Sequence, residues 1–192
     1  MIIWLRTSRT GSTNFILFTR GYNIQQTDNT MPLDSPFNKK ILIKDKENTF
    51  FTTVRNPYTR AISMWKHQRD GYWGQQTDKA HEIDTFEKFL DIDLEKVKQW
   101  RYKTWSHVCP ISDYLGDYVK KLDYVFKLET LDKDIENFCK TQNLEYKFND
   151  RYVFKQSIST EDKYKYLTES NMKIIKDKYK NDFDNFNYLT TL

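Results

Sequence analysis

The part of the chain that decides the fold reads Ile2-Ile3-Trp4-Leu5-Arg6 and continues as Thr7-Ser8-Arg9-Thr10-Gly11-Ser12-Thr13-Asn14-Phe15. The apolar run predicts a buried strand over Ile2 to Arg6, and the small polar residues after it predict a turn into a helix over Ser12 to Arg20. In such a unit, backbone N–H groups and the helix dipole converge at the turn, where they attract an anion. The stretch therefore predicts a strand-loop-helix unit with a candidate phosphate site.

Side chains in this loop add to its predicted affinity for anions. Arg9 brings a fixed positive charge, and the hydroxyls of Thr10, Ser12 and Thr13 are hydrogen-bond donors. The loop differs from the P-loop of nucleoside triphosphatases, because no glycine precedes Gly11 within it and no lysine follows it. Small residues are also common helix caps, so the loop alone is equally compatible with anion binding and with simple capping.

Composition limits the class of protein. The 192 residues correspond to one domain, and 38% hydrophobic with 16% aromatic residues indicate a globular core despite a mean hydropathy of -0.83. The 31 basic and 27 acidic residues leave a net charge of +4, which suits an anionic ligand but is too small to indicate nucleic acid. Cys109 and Cys139 have neither disulfide nor metal-site spacing, which favours two reduced thiols.

The same considerations give expectations about location and partners. Met1 leads directly into the first strand without a signal peptide, and no later segment is long and apolar enough to span a bilayer. We therefore expect a single domain over residues 1–192 that is soluble and cytoplasmic, with no membrane or nucleic-acid partner and no metal. The sequence does not define the oligomeric state.

Strand and helix patterns alternate along the chain. We expect a loop over Gly21 to Asn38, strands over Lys40 to Lys44, Thr49 to Val54 and Tyr124 to Lys127, and helices over Pro57 to Arg69, Phe86 to Leu90, Leu131 to Lys140 and Ser170 to Tyr179. This alternation predicts an α/β fold with a P-loop-like central parallel sheet flanked by helices. Ligands of such sheets bind at the carboxyl ends of the strands.

A second candidate anion site follows the strand that ends at Val54. The segment Val54-Arg55-Asn56-Pro57-Tyr58-Thr59-Arg60-Ala61-Ile62-Ser63 places Arg55 at the strand exit and Ser63 on the next helix, which Asn56 and Pro57 begin. Arg55 and Ser63 can reach one phosphate, the first with its guanidinium fork and the second with its hydroxyl. Considered singly, each residue has a commoner explanation, namely an ion pair for Arg55 and a solvated helix position for Ser63.

Together, the two segments form a more specific pattern: a strand, an Arg-Thr-Gly-Ser-Thr loop and a helix, then a strand, Arg-x-Pro-x-x-Arg and a serine on the following helix. This pattern resembles the sulfotransferases that use 3′-phosphoadenosine 5′-phosphosulfate (PAPS), particularly their carbohydrate and heparan-sulfate branch. Three downstream segments are similar to the same family: His107-Val108-Cys109-Pro110 with Tyr114-Leu115, Asp123 to Leu131 with Asp134, and Tyr179 to Phe183 followed by Phe186-Asn187-Tyr188.

The resemblance implies an enzyme that transfers a sulfuryl group from PAPS to a hydroxyl, on a carbohydrate or a small polyol. It implies that the loop Arg9-Thr10-Gly11-Ser12-Thr13-Asn14 holds the 5′-phosphosulfate, with Arg9 where many members have lysine, and that Arg55 and Ser63 grip the 3′-phosphate. It also implies that Glu129 orders the fold or the acceptor pocket. Two alternatives stay open, namely an inactive nucleotide-binding protein of the same fold and a P-loop kinase-like phosphotransferase.

The base that removes the acceptor proton is not defined by the sequence. The segment between the phosphate motifs contains no histidine and only one glutamate, Glu47, although related glycan sulfotransferases often have a histidine or glutamate there. The candidates are His107, in a His-x-x-Pro segment that the family also shows near its acceptor cleft, and His67, one turn beyond Ser63. His81 is expected to be solvent-exposed, and spacing does not rank the carboxylates Asp28, Asp34 and Asp45.

Two loops have weaker claims to the ligand. Tyr72-Trp73-Gly74 is suited to stacking on a sugar ring, although such aromatic residues more often pack in the protein. Lys155 and Ser157 are expected, by resemblance alone, to close over the nucleotide.

Overall fold

The computed structural model describes residues 1–11, 15–16, 19, 21–22, 24–42, 47–69, 83–146 and 158–191. Its strands are Ile2–Leu5 (β1), Gln25–Gln26 (β2), Thr49–Val54 (β3) and Tyr124–Lys127 (β4). They form one sheet in the order β2-β1-β3-β4, and every neighbouring pair is parallel. The prediction of an α/β fold with a central parallel sheet flanked by helices is therefore confirmed.

The described helices lie between and after these strands. They are Pro36–Leu42 (α1), Pro57–His67 (α2), Phe86–Leu90 (α3), Leu94–Trp100 (α4), Tyr102–Val108 (α5), Ile111–Leu115 (α6), Leu131–Thr141 (α7), Thr160–Tyr166 (α8), Glu169–Lys178 (α9) and Lys180–Asn185 (α10). Short 3₁₀ turns cover Gly116–Lys121 and Leu128–Thr130. Among the described residues, no helix has the length and apolar character needed to cross a membrane.

The first crossover differs from its predicted structure. The strand expected over Lys40 to Lys44 is wrong, since residues up to Leu42 belong to α1. Pro36 begins this helix, and the buried amide of Asn38 donates to carbonyl oxygens of the preceding turn, so local hydrogen bonds outweigh the β propensity of two isoleucines. The expected loop over Gly21 to Asn38 is interrupted by β2, whose two glutamines give no strand pattern.

The sheet separates two apolar clusters because alternate side chains of each strand point to opposite faces. Trp4 packs with Phe15, Phe51 and Phe126 on one face, where ring centroids lie 4.8 to 6.5 Å apart. The other cluster includes Ile3, Leu5 and Val54 from the opposite face of the sheet, together with buried side chains from most of the described helices. Helix α2 is buried from Pro57 to Trp65, so even its polar residues are enclosed by protein.

The parallel register brings the strand exits to one edge of the sheet. Leu5 pairs with Thr52, and Val54 pairs with Lys127. The segment after β1, Arg55 after β3 and Glu129 after β4 consequently lie along the same edge. This edge contains the candidate site.

Candidate active site

The loop after β1 has an unusual backbone that packs tightly on the end of β4. Arg9 and Gly11 have φ angles of 64° and 83°, in the left-handed region that favours glycine. A Cβ atom at Gly11 would lie 2.6 Å from Leu128 Cδ1. Gly11 is therefore favoured by its backbone conformation, and any side chain at this position would also displace the Leu128 side chain, so glycine lets the loop lie close to the end of β4.

The Thr10 hydroxyl is engaged within the protein. Its side chain is fully buried, and its hydroxyl bonds to Thr53 Oγ1 at 2.8 Å and donates to the Thr7 carbonyl at 3.2 Å. This hydroxyl therefore attaches the loop to β3, whereas we expected it to point toward an anion. Ser12, Thr13 and Asn14, the other predicted donors of this loop, lie outside the described residues.

The segment after β3 begins α2 as the sequence predicts. The Asn56 side chain accepts a hydrogen bond from the Tyr58 N–H, and Pro57 is the first helical residue. This start places Arg55 at the strand exit, where Nε donates to Thr59 Oγ1 at 3.1 Å. Ser63 lies two turns along the helix with only 2% of its surface exposed. Neither commoner explanation applies: Ser63 is not a solvated helix position, and Arg55 is not in a surface ion pair with any described residue.

Arg55 is a buried cation. It is 4% exposed, and burial lowers the pKa of its guanidinium to about 10, with Glu129 opposing this shift and Arg9 and Arg60 adding to it. Among the residues that the structure describes, Arg55 forms no ion pair. Burying a charge without an opposite charge is unfavourable, so this position is suited to receiving an anion.

Arg9 joins the two phosphate motifs. Its guanidinium donates to Ser63 Oγ from Nη2 at 3.0 Å and from Nε at 3.3 Å. Burial, followed by the charge of Arg60, lowers the pKa of Arg9. The family resemblance implies that these two residues contact different phosphates of one nucleotide. The sequence did not predict the direct hydrogen bonds between them.

Arg60 connects the loop to the segment that follows α5. Its Nε donates to the Ser8 carbonyl at 3.2 Å and its Nη1 to the Cys109 carbonyl at 2.9 Å, while Nη1 lies 3.8 Å from an Asp182 oxygen. Asp182 also accepts the backbone N–H groups of Ile111 and Ser112 at 2.8 and 2.7 Å. Sequence reasoning gave Arg60 no separate role, although it is the second arginine of the Arg-x-Pro-x-x-Arg pattern.

The two candidate histidines lie together, with ring centroids 6.0 Å apart and 20° between ring planes. Nδ1 of His107 is 2.6 Å from the Lys103 carbonyl oxygen, so this nitrogen carries the proton and Nε2 is the basic nitrogen. Burial is the main cause that lowers the pKa of His107 to about 4; the hydrogen bond to the Lys103 carbonyl opposes this shift, and the neighbouring His67 and Arg9 add to it. Burial, then Arg9, also lowers the pKa of His67. Both rings are consequently neutral at pH 7.

The remaining candidates are less well placed or lie outside the description. Asp28 follows β2, and one of its oxygens accepts both the N–H and the hydroxyl of Thr30 at 2.8 Å. Asp34 is exposed. His81, Asp45, Tyr72-Trp73-Gly74, Lys155 and Ser157 fall outside the described residues. Within the described ranges, no three His, Cys, Asp or Glu side chains are grouped to hold a metal ion.

A parallel sheet whose strand exits carry a buried and a partly buried arginine, with a serine hydroxyl on the following helix, is typical of α/β proteins that bind phosphate or sulfate esters. The family model described as "Sulfotransferase family" matches residues 3–189. The chain therefore belongs to the sulfotransferase family, and its activity is the transfer of sulfuryl groups. Neither the curated proteins nor the solved structures gave a significant match.

Proposed function

We propose that this protein transfers a sulfuryl group from PAPS to a hydroxyl group of a carbohydrate or other small polyol. The observation that carries this proposal is the position of Arg9 and Arg55. Arg55 is a buried cation and Arg9 a partly buried one, they lie at adjacent strand exits, and within the described part of the chain neither has a carboxylate partner. PAPS has anionic groups at both ends of its ribose, which such a pair can hold.

The residues fit the two phosphates of PAPS in the order that the family resemblance implies. Arg55 and Ser63, with 4% and 2% of their surfaces exposed, would hold the 3′-phosphate. Arg9 and backbone N–H groups of its loop would hold the 5′-phosphosulfate. Because Arg9 also bonds to Ser63, one hydrogen-bond network would position both phosphates.

In this reaction the bond between sulfur and the bridging phosphate oxygen breaks, a bond from sulfur to the acceptor oxygen forms, and the acceptor proton passes to a base. Negative charge grows on the leaving phosphate, where Arg9 would stabilise it. Because a sulfuryl group carries less charge than a phosphoryl group, the reaction does not require a metal ion.

We propose His107 as the base. Its Nδ1 proton is held by the Lys103 carbonyl, which fixes the ring and leaves Nε2 as the proton acceptor. A pKa of about 4 makes the imidazole a weak base, but an anionic donor bound beside Arg9 would raise that pKa because it offsets the cationic charge. His67, stacked on His107, is the alternative.

The acceptor class is proposed from the resemblance of the two phosphate motifs to the carbohydrate and heparan-sulfate branch, with three downstream segments, which include those around His107 and Tyr188, as support. Glycans and small polyols present many neutral hydroxyls. Acceptor profiling with labelled PAPS against neutral sugars, uronic-acid glycans and phenols would test this class. Transfer to phenols alone would contradict it.

The decisive experiment measures binding and transfer separately. Adenosine 3′,5′-bisphosphate (PAP), the desulfonated product, should raise the thermal midpoint of the protein, and Arg55→Ala should abolish that shift. Labelled sulfate should move from PAPS to an acceptor without added metal. Binding without transfer to any acceptor would favour an inactive nucleotide-binding protein, while magnesium-dependent ATP binding would favour a kinase-like phosphotransferase. Salt-dependent binding to polyanions with no preference for PAP would instead indicate nucleic acid as the partner.

A further inference from the structure

Glu129 stands between the 3′-phosphate motif and the segment after α10. Its Oε1 accepts the Asn56 N–H at 2.9 Å, and its Oε2 accepts the Tyr188 hydroxyl at 2.8 Å. Asn56 follows Arg55 directly, so the carboxylate is fixed beside the arginine that we assign to the 3′-phosphate. Each carboxylate oxygen is thereby engaged by a donor other than Arg55.

Tyr188 is itself held firmly in place. Its N–H donates to the Phe183 carbonyl at 3.0 Å, and the ammonium group of Lys127 lies 4.6 Å from its ring centroid. Lys127 also donates to the Asn187 carbonyl at 3.0 Å. Two residues further on, the Thr190 carbonyl accepts the Tyr58 hydroxyl at 2.7 Å, which attaches this segment to α2. The phenol is thus fixed over the end of β4.

Glu129 and Arg55 are near enough to interact electrostatically, yet they form no ion pair. Glu129 is exposed, whereas Arg55 is buried. A carboxylate at the rim that turned toward Arg55 would occupy the guanidinium fork and repel a phosphate. Burial and then the adjacent Glu129 raise the pKa of Tyr188, so the phenol stays protonated and remains a donor to this carboxylate.

We propose that Tyr188 is a positioning residue for the 3′-phosphate: it holds Glu129 on the Asn56 backbone and so prevents that carboxylate from pairing with Arg55. The inference rests on the proposed function, because it assumes that Arg55 receives the 3′-phosphate of the donor. Loss of the Tyr188 hydroxyl frees Oε2, and the released carboxylate competes with the ligand. Nucleotides that lack the 3′-phosphate are unaffected.

The test compares PAP with adenosine 5′-monophosphate, which lacks the 3′-phosphate, by calorimetric titration of the full chain. Tyr188→Phe removes only the hydroxyl and should weaken PAP binding about fivefold to tenfold, with less than a twofold change for the monophosphate. In the double variant Tyr188→Phe with Glu129→Gln, the competing charge is gone and PAP affinity should return to at least the wild-type value.

Tyr124→Phe is the matched control. Tyr124 lies at the other end of β4, and its hydroxyl bonds to Thr141 Oγ1 at 3.2 Å, so its loss should leave both affinities unchanged. A Tyr188→Phe variant that keeps the wild-type preference for PAP would overturn the inference, as would a double variant that stays weak. A wild-type protein that shows no preference for PAP would overturn the proposed function itself, and the inference with it.

Discussion

The guanidinium of Arg9 and the hydroxyl of Ser63 are joined by two hydrogen bonds, at 3.0 Å from Nη2 and 3.3 Å from Nε. The two residues belong to separate sequence motifs and to separate elements, the loop after β1 and helix α2. This contact means that a change at one predicted phosphate site is transmitted to the other.

The first prediction concerns Arg9. Arg9→Ala should lower kcat at least about 100-fold, because it removes the preorganised cation that we propose faces the leaving phosphate, while the thermal midpoint changes little. Since Arg9 has a φ of 64°, Arg9→Gly serves as a control that tolerates this backbone. Equal loss of kcat in both variants assigns the effect to the side chain. Wild-type kcat in either variant would refute the assignment.

Ser63 allows a second, graded prediction. Ser63→Ala removes a hydroxyl that we assign to the 3′-phosphate and that also orients Arg9, so the Kd for PAP should rise about tenfold. The reduction in kcat should be smaller than that of Arg9→Ala, because the cation remains. Titration with PAP and saturating steady-state assays separate the two effects. An unchanged Kd would place the 3′-phosphate elsewhere.

A third prediction separates stability from binding at Arg55. This residue is a buried cation that forms no ion pair among the described residues, so Arg55→Met should raise the free energy of unfolding by about 1 kcal/mol in the absence of nucleotide. The same variant should lose the thermal shift with PAP. Urea unfolding and thermal scans measure the two quantities, with Arg55→Lys as the charge-retaining control. A less stable Arg55→Met protein would show that Arg55 is a structural residue.

The sequence predicted those parts of the fold that strong local patterns define. The apolar runs of β1, β3 and β4 and the Asn-Pro start of α2 are found where they were expected. The helix α1 and the strand β2 were not predicted, because the first depends on buried amide bonds of Asn38 and the second on pairing with β1. The Asn38 bonds are local side-chain effects that a propensity pattern does not contain, and the β1–β2 pairing joins segments that are distant in the sequence.

For the site, the sequence identified residue types but not their contacts. Arg55 and Ser63 were selected because a spacing of eight residues across a strand, a turn and a helix brings both side chains near one ligand. Both are buried in the structure. The sequence gave no indication that the Thr10 hydroxyl bonds within the protein, or that Arg60 links Ser8 to Cys109. These contacts depend on which residues lie next to each side chain, and only the folded structure determines those neighbours.

The fourth prediction concerns the buried pair of Arg60 and Asp182. Asp182→Ala leaves a buried guanidinium without its counter-charge and two backbone N–H groups without an acceptor, so the free energy of unfolding should fall by about 3 kcal/mol or more. The control is Glu136→Ala, which breaks the ion pair with Lys140. Its Nζ–Oε1 distance is shorter, at 2.7 Å, but the Lys140 and Glu136 side chains are 68% and 44% exposed. That variant should lose less than about 0.5 kcal/mol, because water screens exposed pairs. Equal losses in urea unfolding would contradict the role of burial.

A fifth prediction uses the pH dependence of His107, whose pKa is about 4 in the folded protein against an ordinary value of 6.5. Between these values the unfolded chain binds more protons than the folded one, so this residue makes the protein less stable as pH falls from 6.5 toward 4. At pH 7 both states are neutral at this site and the effect vanishes. His107→Gln should therefore reduce the loss of unfolding free energy between pH 7 and pH 5. Part of this loss should remain in the variant, because the pKa of His67 is also lowered in the folded protein.

Because we propose His107 as the general base, the same shift should set the acid limb of the activity. A general base must be unprotonated, so kcat/KM for the donor, which reports the free enzyme, should fall only at a pH well below 6.5. The profile should be measured from pH 4.5 to 8 with the wild-type protein and with His67→Gln, which leaves the His107 ring and its bond to the Lys103 carbonyl in place. Removing His67 takes away one of the neighbours that lower the pKa of His107, so the acid limb should move to higher pH. A wild-type limb at 6.5 or above would show that a different, solvent-exposed group accepts the proton.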